Sequence, residues 1–164
     1  MAIVLTSVVP SRHISLAAVR DAATAIYAAA IRTPLIRIVL SSDGHEVAEL
    51  YLKLEMLQPI GSFKIRGAFN LVRQLPRNVL DEGVWTVSAG NAAQGVALAA
   101  RTVGAHCSVL MIETAPDTKV RAIERLGASI VRASYDDCWR AIVEHRSPLM
   151  RGHLVHPFDD DRFI

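Results

Sequence analysis

Cysteine is scarce in this 164-residue sequence. Cys107 and Cys138 are the only two, they lie far apart, and they form no C-x-x-C pair. That argues against a disulfide framework and leaves two reduced core thiols of a cytosolic protein as the expectation. An excess of charge is lacking too. The 18 Lys and Arg against 16 Asp and Glu leave a net +2 with no basic stripe, which speaks against nucleic acid or an anionic membrane as the main partner. No run of 18 apolar residues occurs, so no transmembrane helix is expected. The opening MAIVLTSVVPSRHIS is mildly apolar but has neither the basic n-region nor the small-residue cleavage site of a secretory signal, and the expected location is the cytoplasm. There is no internal repeat, low-complexity tract or flexible linker. What is present is a half-hydrophobic chain with about a fifth of its residues charged, long enough to bury one ordinary core.

The order of elements is legible. Ser15 can cap a helix over roughly Leu16–Ala30, which must end before Thr33-Pro34. Leu35–Leu40 and Glu49–Glu55 read as strands joined by a loop containing Asp43-Gly44. After the turn cluster Pro59-Ile60-Gly61-Ser62, the spacing of Ile65, Ala68, Phe69 and Val72 gives one apolar helix face, and Pro76 ends it. From Val84 strands and helices alternate. The expected strands are Val84–Val87, Cys107–Ile112, Ser129–Ala133 and His153–Val155. The expected helices are Ala92–Val103 before Gly104, Thr118–Leu126 before Gly127, and one opened by the capping-box variant Ser134-x-x-Asp137 and running to about His145. This alternation implies an α/β fold with a parallel, doubly wound sheet, which binds ligands at the carboxyl ends of its strands. The loop after Val87 is therefore the first place to look.

Two segments carry chemistry. In Gly61-Ser62-Phe63-Lys64-Ile65-Arg66-Gly67-Ala68, Lys64 read alone is a solvated surface lysine. Yet a cation in the first turn opposes the helix dipole, and Phe63 and Ile65 suggest an apolar surround. Desolvation favours the neutral amine that forms a Schiff base. In Ser88-Ala89-Gly90-Asn91-Ala92-Ala93-Gln94-Gly95, small residues between a strand and a helix let backbone approach a ligand, and helix-start N–H groups suit a carboxylate or phosphate. Read alone, this is an ordinary strand-to-helix turn capped by Asn91 or Ser88. It is neither a Walker loop nor a G-x-G-x-x-G fingerprint. The lesser candidates stay structural. His153-x-x-His156 would point to opposite faces of a strand, so no metal site is expected. Asp159-Asp160-Asp161 reads as a solvated turn, and Trp85 and Trp139 as core or domain-contact residues.

In this order and on these elements, the two segments resemble the fold-type II pyridoxal-phosphate enzymes of the tryptophan synthase β-like fold. The resemblance is greatest to threonine/serine dehydratases and the related serine racemases. Thr33-Pro34-Leu35, Lys53-Leu54-Glu55 with Gln58-Pro59, Ala115-Pro116-x-x-Lys119, Gly127-Ala128 and His156-Pro157-Phe158-Asp159-Asp160 support it. The resemblance implies a three-layer doubly wound sheet and pyridoxal 5′-phosphate as cofactor. It implies that Lys64 is both the Schiff-base lysine and the base that moves the Cα proton, with Phe63 packing beside the cofactor and Asn91 bonding its 3′-oxygen. Ser88, Ala89, Gly90, Asn91 and Ala92 would grip the substrate carboxylate, largely through backbone N–H groups. The implied reaction is dehydration and deamination of threonine or serine to a 2-oxo acid and ammonia. Lys64 is followed by Ile65-Arg66-Gly67-Ala68 and not by Asp-Arg, which favours the dehydratase branch over cysteine and threonine synthases.

Two departures bear on this. Ala89 stands where racemases carry a reprotonating serine, which argues for dehydration. Ala92 stands where dehydratases usually have histidine, which leaves substrate preference open. The family's glycine-rich phosphate loop and its hydroxyl residue facing the pyridine nitrogen have no counterpart here. The expectation is an N-terminal portion of that fold: residues 81–154 a small α/β domain, residues 1–80 and 155–164 part of a large cofactor domain. Such a chain is expected to bind cofactor weakly and to need a complementing C-terminal half or self-association, the alternative being a non-catalytic binding or oligomerisation module.

Overall fold

The computed structural model of the protein describes residues 13–42 and 45–164; the stretch Met1–Arg12 and the expected loop residues Asp43 and Gly44 lie outside the described residues. Helix α1 (Leu16–Ala25) starts where expected, with the Ser15 hydroxyl accepting from the Ala18 N–H at 3.1 Å. It stops at Ala25 and not at Ala30. Thr24 turns its hydroxyl back onto the Asp21 carbonyl, Ile26 and Tyr27 follow, and the chain tightens into a 3-10 turn over Ile26–Ala28.

Strands β1 (Leu35–Ser42) and β2 (His45–Lys53) form an antiparallel ribbon. Directly paired residues share a face. Ile36 with Leu52, Ile38 with Leu50, and Leu40 with Ala48 therefore make one wholly apolar side, while Arg37, Glu49, Tyr51 and Lys53 stand on the other. β2 ends before Glu55, contrary to the expected strand, because Glu55 enters a 3-10 turn (Glu55–Leu57) that commits its carboxylate elsewhere. Helix α2 (Lys64–Val72) buries the face its spacing predicts, and Leu71 besides. Pro76 opens a further short helix, α3 (Arg77–Glu82).

The remainder is the expected β-α alternation: β3 (Val84–Val87), α4 (Asn91–Val103), β4 (Cys107–Ile112), α5 (Asp117–Glu124), β5 (Ser129–Ala133), α6 (Tyr135–Glu144) and β6 (His153–Leu154). The four strands pair in parallel in the order β5-β4-β3-β6. Side-chain alternation divides the core between the two faces. Val84, Cys107, Val109 and Met111 pack with α2, α4 and α5. Trp85, Val87 and Leu110 pack with Cys138 and Ala141 of α6. Both cysteines are free and buried, as expected. Trp85 is core, but Trp139 is not: it stands exposed on the outer side of α6 with Tyr135 and Val143, one turn to either side. The Ser134 cap of α6 is present, accepting from Asp137 N–H at 3.1 Å.

This winding locates the site. The chain steps outward from β3 to β5 with α4 and α5 on one face, then returns past β4 and β3 to β6 with α6 on the other. Strand order therefore reverses between β3 and β6, and a crevice opens at their carboxyl ends. The segment from Ser88 follows one strand, and His156-Pro157-Phe158 closely follows the other. Among the described residues no helix is long and apolar enough to cross a membrane.

Candidate active site at the sheet's switch point

Lys64 is the first residue of α2, and its N-terminal neighbour Phe63 provides no side-chain cap. Its amine reaches into the crevice. Nζ donates to the Pro157 carbonyl at 3.4 Å and stands 5.4 Å from the Phe63 and Phe158 ring centroids and 5.3 Å from that of Phe163. Of the two neighbours expected to make an apolar surround, only Phe63 stands by the amine; Phe158, itself exposed, and the buried Phe163 join it from far away in sequence, while Ile65 belongs to the core. Phe63 itself is 58% exposed, so its ring is a wall open on one side.

Two glycines set the approach of the elements. At Gly95 a Cβ would sit 3.1 Å from the Lys64 carbonyl oxygen and 3.3 Å from the Ala68 methyl, so a hydrogen there lets α4 lie against the start of α2. Asn91 is one turn before Gly95 on the same stripe of α4, which brings it towards the end of α2 that carries Lys64. At Gly67 a Cβ would overlap the Phe163 carbonyl at 1.8 Å; the chain's last turn passes directly over α2 there. The Asn70 amide holds that turn through the Arg162 carbonyl at 2.8 Å, and Asp160 and Arg162 clasp each other with contacts of 2.7 and 3.0 Å.

The loop after β3 departs in detail from its expectation. Neither Asn91 nor Ser88 caps α4. Gly90 is the N-cap residue and offers no side chain, while the Ser88 hydroxyl accepts from the Gly90 N–H at 3.0 Å and tightens the turn before the helix. Asn91 is the first helical residue and is exposed; Ala92 is buried; Ser88, Ala89 and Gly90 are half-buried. The first N–H groups of α4, from Asn91 on, have no acceptor within their own helix, and the positive end of its dipole faces the crevice.

A clamp that the pattern of motifs did not reveal ties the start of α2 to the segments around Thr33 and Glu55. Arg66 grips Glu55 with both ends of its guanidinium, Nε to Oε2 at 2.8 Å and Nη2 to Oε1 at 2.7 Å. Thr33 Oγ donates to Glu55 at 2.6 Å, and Gln58 bonds both the N–H and the carbonyl of Ile31. The Arg66 bonds hold the Glu55 carboxyl down at about 2, against the opposing effect of burial. Thr33, Glu55, Gln58 and Arg66 all belong to the motifs singled out above; only their mutual pairing was hidden.

The residues fit an amine-linked cofactor on the side they supply. Lys64 has one weak carbonyl partner, an uncapped helix start suits a carboxylate, and Ser62 Oγ lies buried two residues before Lys64 with no partner among the described residues. Among the described residues no group of three or more His, Cys, Asp or Glu gathers as a metal site. A groove of about 580 Å³ beside α6, lined by Arg140, Glu144 and Leu149, shares no residue with this crevice.

Comparison with known proteins agrees with the geometry. The chain is 41% identical over 136 residues to the chloroplastic biosynthetic threonine dehydratase 1 of Solanum lycopersicum, a match covering 82% of this chain and 22% of the relative. It is 36% identical over 148 residues to a catabolic L-threonine dehydratase of Staphylococcus aureus, covering 90% and 43% respectively. Its structure superposes on maize serine racemase with a TM-score of 0.76 at 30% identity, covering 93% of this chain and 46% of that one. The chain thus spans less than half the length of these relatives, and the α/β, fold-type II architecture expected of it is the one it has. Residues 26–164 match the family described as pyridoxal-phosphate dependent enzyme, and the chain belongs to that family.

Proposed function

We propose that this chain supplies the lysine-bearing side of a pyridoxal-phosphate site for dehydration and deamination of L-threonine or L-serine. The observation that carries this is the Lys64 amine, which meets the Pro157 carbonyl just beyond β6 and three aromatic rings, on a helix that packs against α4 at Gly95. Lys64 is the covalent attachment point and, once displaced by the substrate amine, the base that takes the Cα proton. Phe63 would pack beside the cofactor and Asn91 would bond its 3′-oxygen. Ser88, Ala89, Gly90, Asn91 and Ala92 receive the substrate carboxylate, mainly on backbone N–H groups at the helix end. The cofactor, when bound, supplies an electron sink for the charge left at Cα. The net conversion, a β-hydroxy amino acid to a 2-oxo acid and ammonia, balances with no further reactant. Ala89 has no side chain able to return a proton, which favours this reading over racemisation despite the likeness to maize serine racemase.

The nine glycines offer no run to cradle a phosphate, so the reading assigns that task to a complementing C-terminal half, and the assembled enzyme to a homo-oligomer in the cytoplasm. Residues 81–154 are read as its small domain, and residues 1–80 and 155–164 as part of its large one. The test is absorbance between about 300 and 500 nm with pyridoxal phosphate, followed by borohydride reduction and peptide mass analysis, beside Lys64→Ala. A shifted band trapped on Lys64 and missing from the variant is expected. Identical spectra for the two proteins would refute the assignment and leave a non-catalytic module as the better reading.

A further inference from the structure

The turn that faces Lys64 is held by a buried imidazole that the proposed chemistry does not use. His156 is 7% exposed and makes two side-chain contacts in different directions. Its Nε2 lies 3.2 Å from the Ile142 carbonyl on α6, and its Nδ1 lies 3.2 Å from the backbone nitrogen of Phe158. A carbonyl can only accept and a backbone N–H can only donate, so the two contacts together require the tautomer with its proton on Nε2. The second contact closes a loop from a side chain to the N–H two residues on, the geometry that an Asn side chain also makes.

Everything that this loop encloses points at Lys64. Its middle residue is Pro157, whose carbonyl accepts from Nζ, and its last is Phe158, whose ring stands over the same amine. Behind it, the His145 ring packs on His156 with centroids 4.5 Å apart, and His145 Nε2 lies 3.3 Å from Asp159 Oδ2. On its other side, Val155 is tied into the sheet by Trp85 and Thr86, at 2.7 and 2.9 Å. The imidazole is therefore the link between a rigid sheet and helix and the one hydrogen bond that the Lys64 amine makes among the described residues.

We infer that His156 is a positioning residue: through the Phe158 N–H it holds the Pro157 carbonyl and the Phe158 ring against the Lys64 amine, and so sets how that amine meets an incoming carbonyl carbon. The inference rests on Lys64 being the attachment point, and its test separates the two. The chain has three lysines, Lys53, Lys64 and Lys119, so the site of labelling can be read directly. The full chain is treated with pyridoxal phosphate and borohydride, and pyridoxyl label on each lysine is timed by peptide mass. His156→Phe keeps a ring of similar size and loses both contacts. His156→Asn restores the bond to Phe158 N–H alone. Far-UV circular dichroism and the Lys119 rate report on folding. The wild type should label Lys64 preferentially, His156→Phe should lower the Lys64-to-Lys119 ratio about tenfold, as loss of an orienting partner does elsewhere, and His156→Asn should recover most of it. An unchanged ratio in His156→Phe overturns the positioning role while leaving the Lys64 reading intact. So does an equal loss in His156→Phe and His156→Asn, since the Phe158 contact would then count for nothing. A wild type that labels all three lysines evenly overturns the reading of Lys64 and the role of His156 with it.

Discussion

Gly67 gives a test in which local propensity and tertiary packing predict opposite signs. It sits inside α2, where alanine would be favoured over glycine by about 1 kcal/mol. The added methyl, however, would stand 1.8 Å from the Phe163 carbonyl oxygen and 2.8 Å from its carbon, and both are backbone atoms with no rotamer to escape into. To reach van der Waals distance, the final turn must withdraw by more than about 1 Å. Withdrawal begins to expose Phe163, a ring whose full burial stabilises by about 2–3 kcal/mol, and stretches the Asn70–Arg162 bond, which contributes about 1 kcal/mol. Set against the helical gain, Gly67→Ala should destabilise the chain by about 2 kcal/mol, or roughly 4–8 °C in melting temperature for a protein of this size. Urea unfolding followed by tryptophan fluorescence and circular dichroism measures it; the midpoint should fall with the slope unchanged. A variant more stable than the wild type by the helix-propensity increment would refute the packing argument outright. Because Phe163 also stands over Lys64 Nζ, pyridoxyl labelling of Lys64 should slow in the same variant.

Glu55→Gln should cost about 2 kcal/mol at neutral pH by breaking the bidentate pair with Arg66. The Glu55 carboxyl lies lower folded than unfolded, so its stabilisation is complete above its ordinary value of 4.5 and is lost as pH falls towards about 2; denaturation midpoints measured across that window should slope in the wild type and flatten in the variant. Ser134→Ala removes the acceptor of the Asp137 N–H and should lower stability by about 1 kcal/mol in thermal unfolding, and Ser134→Asn, which keeps an acceptor there, should recover most of it. Burial pushes the Cys107 thiol up to about 12 and raises Cys138 as well, so iodoacetamide at pH 8 should modify neither until denaturant is added; rapid native alkylation of Cys107 would contradict its place in the core.

Much of the fold could be read from local pattern because its drivers are local. Cys107–Ile112 and Ser129–Ala133 are largely apolar strand runs, each preceded by a glycine turn, and they form β4 and β5 with those limits. Lys64 and the Ser88–Ala92 loop are candidates through resemblance, and the packing of α4 on α2 at Gly95 explains how two segments apart in sequence come near each other. What stayed hidden depends on partners distant in sequence. Nothing near Glu55 says that Arg66 will take both its oxygens and end β2 early. Nothing near Gly67 says that Phe163 will cross it, or near His156 that Ile142 and Phe158 will claim its two nitrogens. Trp139 read from its type as a core or domain-contact residue, and its helical phase turns it outward and out of the core.

The Lys64–Pro157 contact joins residues 93 positions apart, and Asn70–Arg162 joins residues 92 apart. Between them lies the entire four-stranded sheet. Made from its N-terminus, the chain carries Phe63 and Lys64 long before Pro157, Phe158 and Phe163 exist. Contacts of such separation carry a loop-closure cost that local helices do not. The Lys64 amine therefore gains its carbonyl partner and two of its three rings only once the segment after β6 lies against α2. A chain in which that segment stayed undocked would carry every motif of the candidate site and little of its geometry.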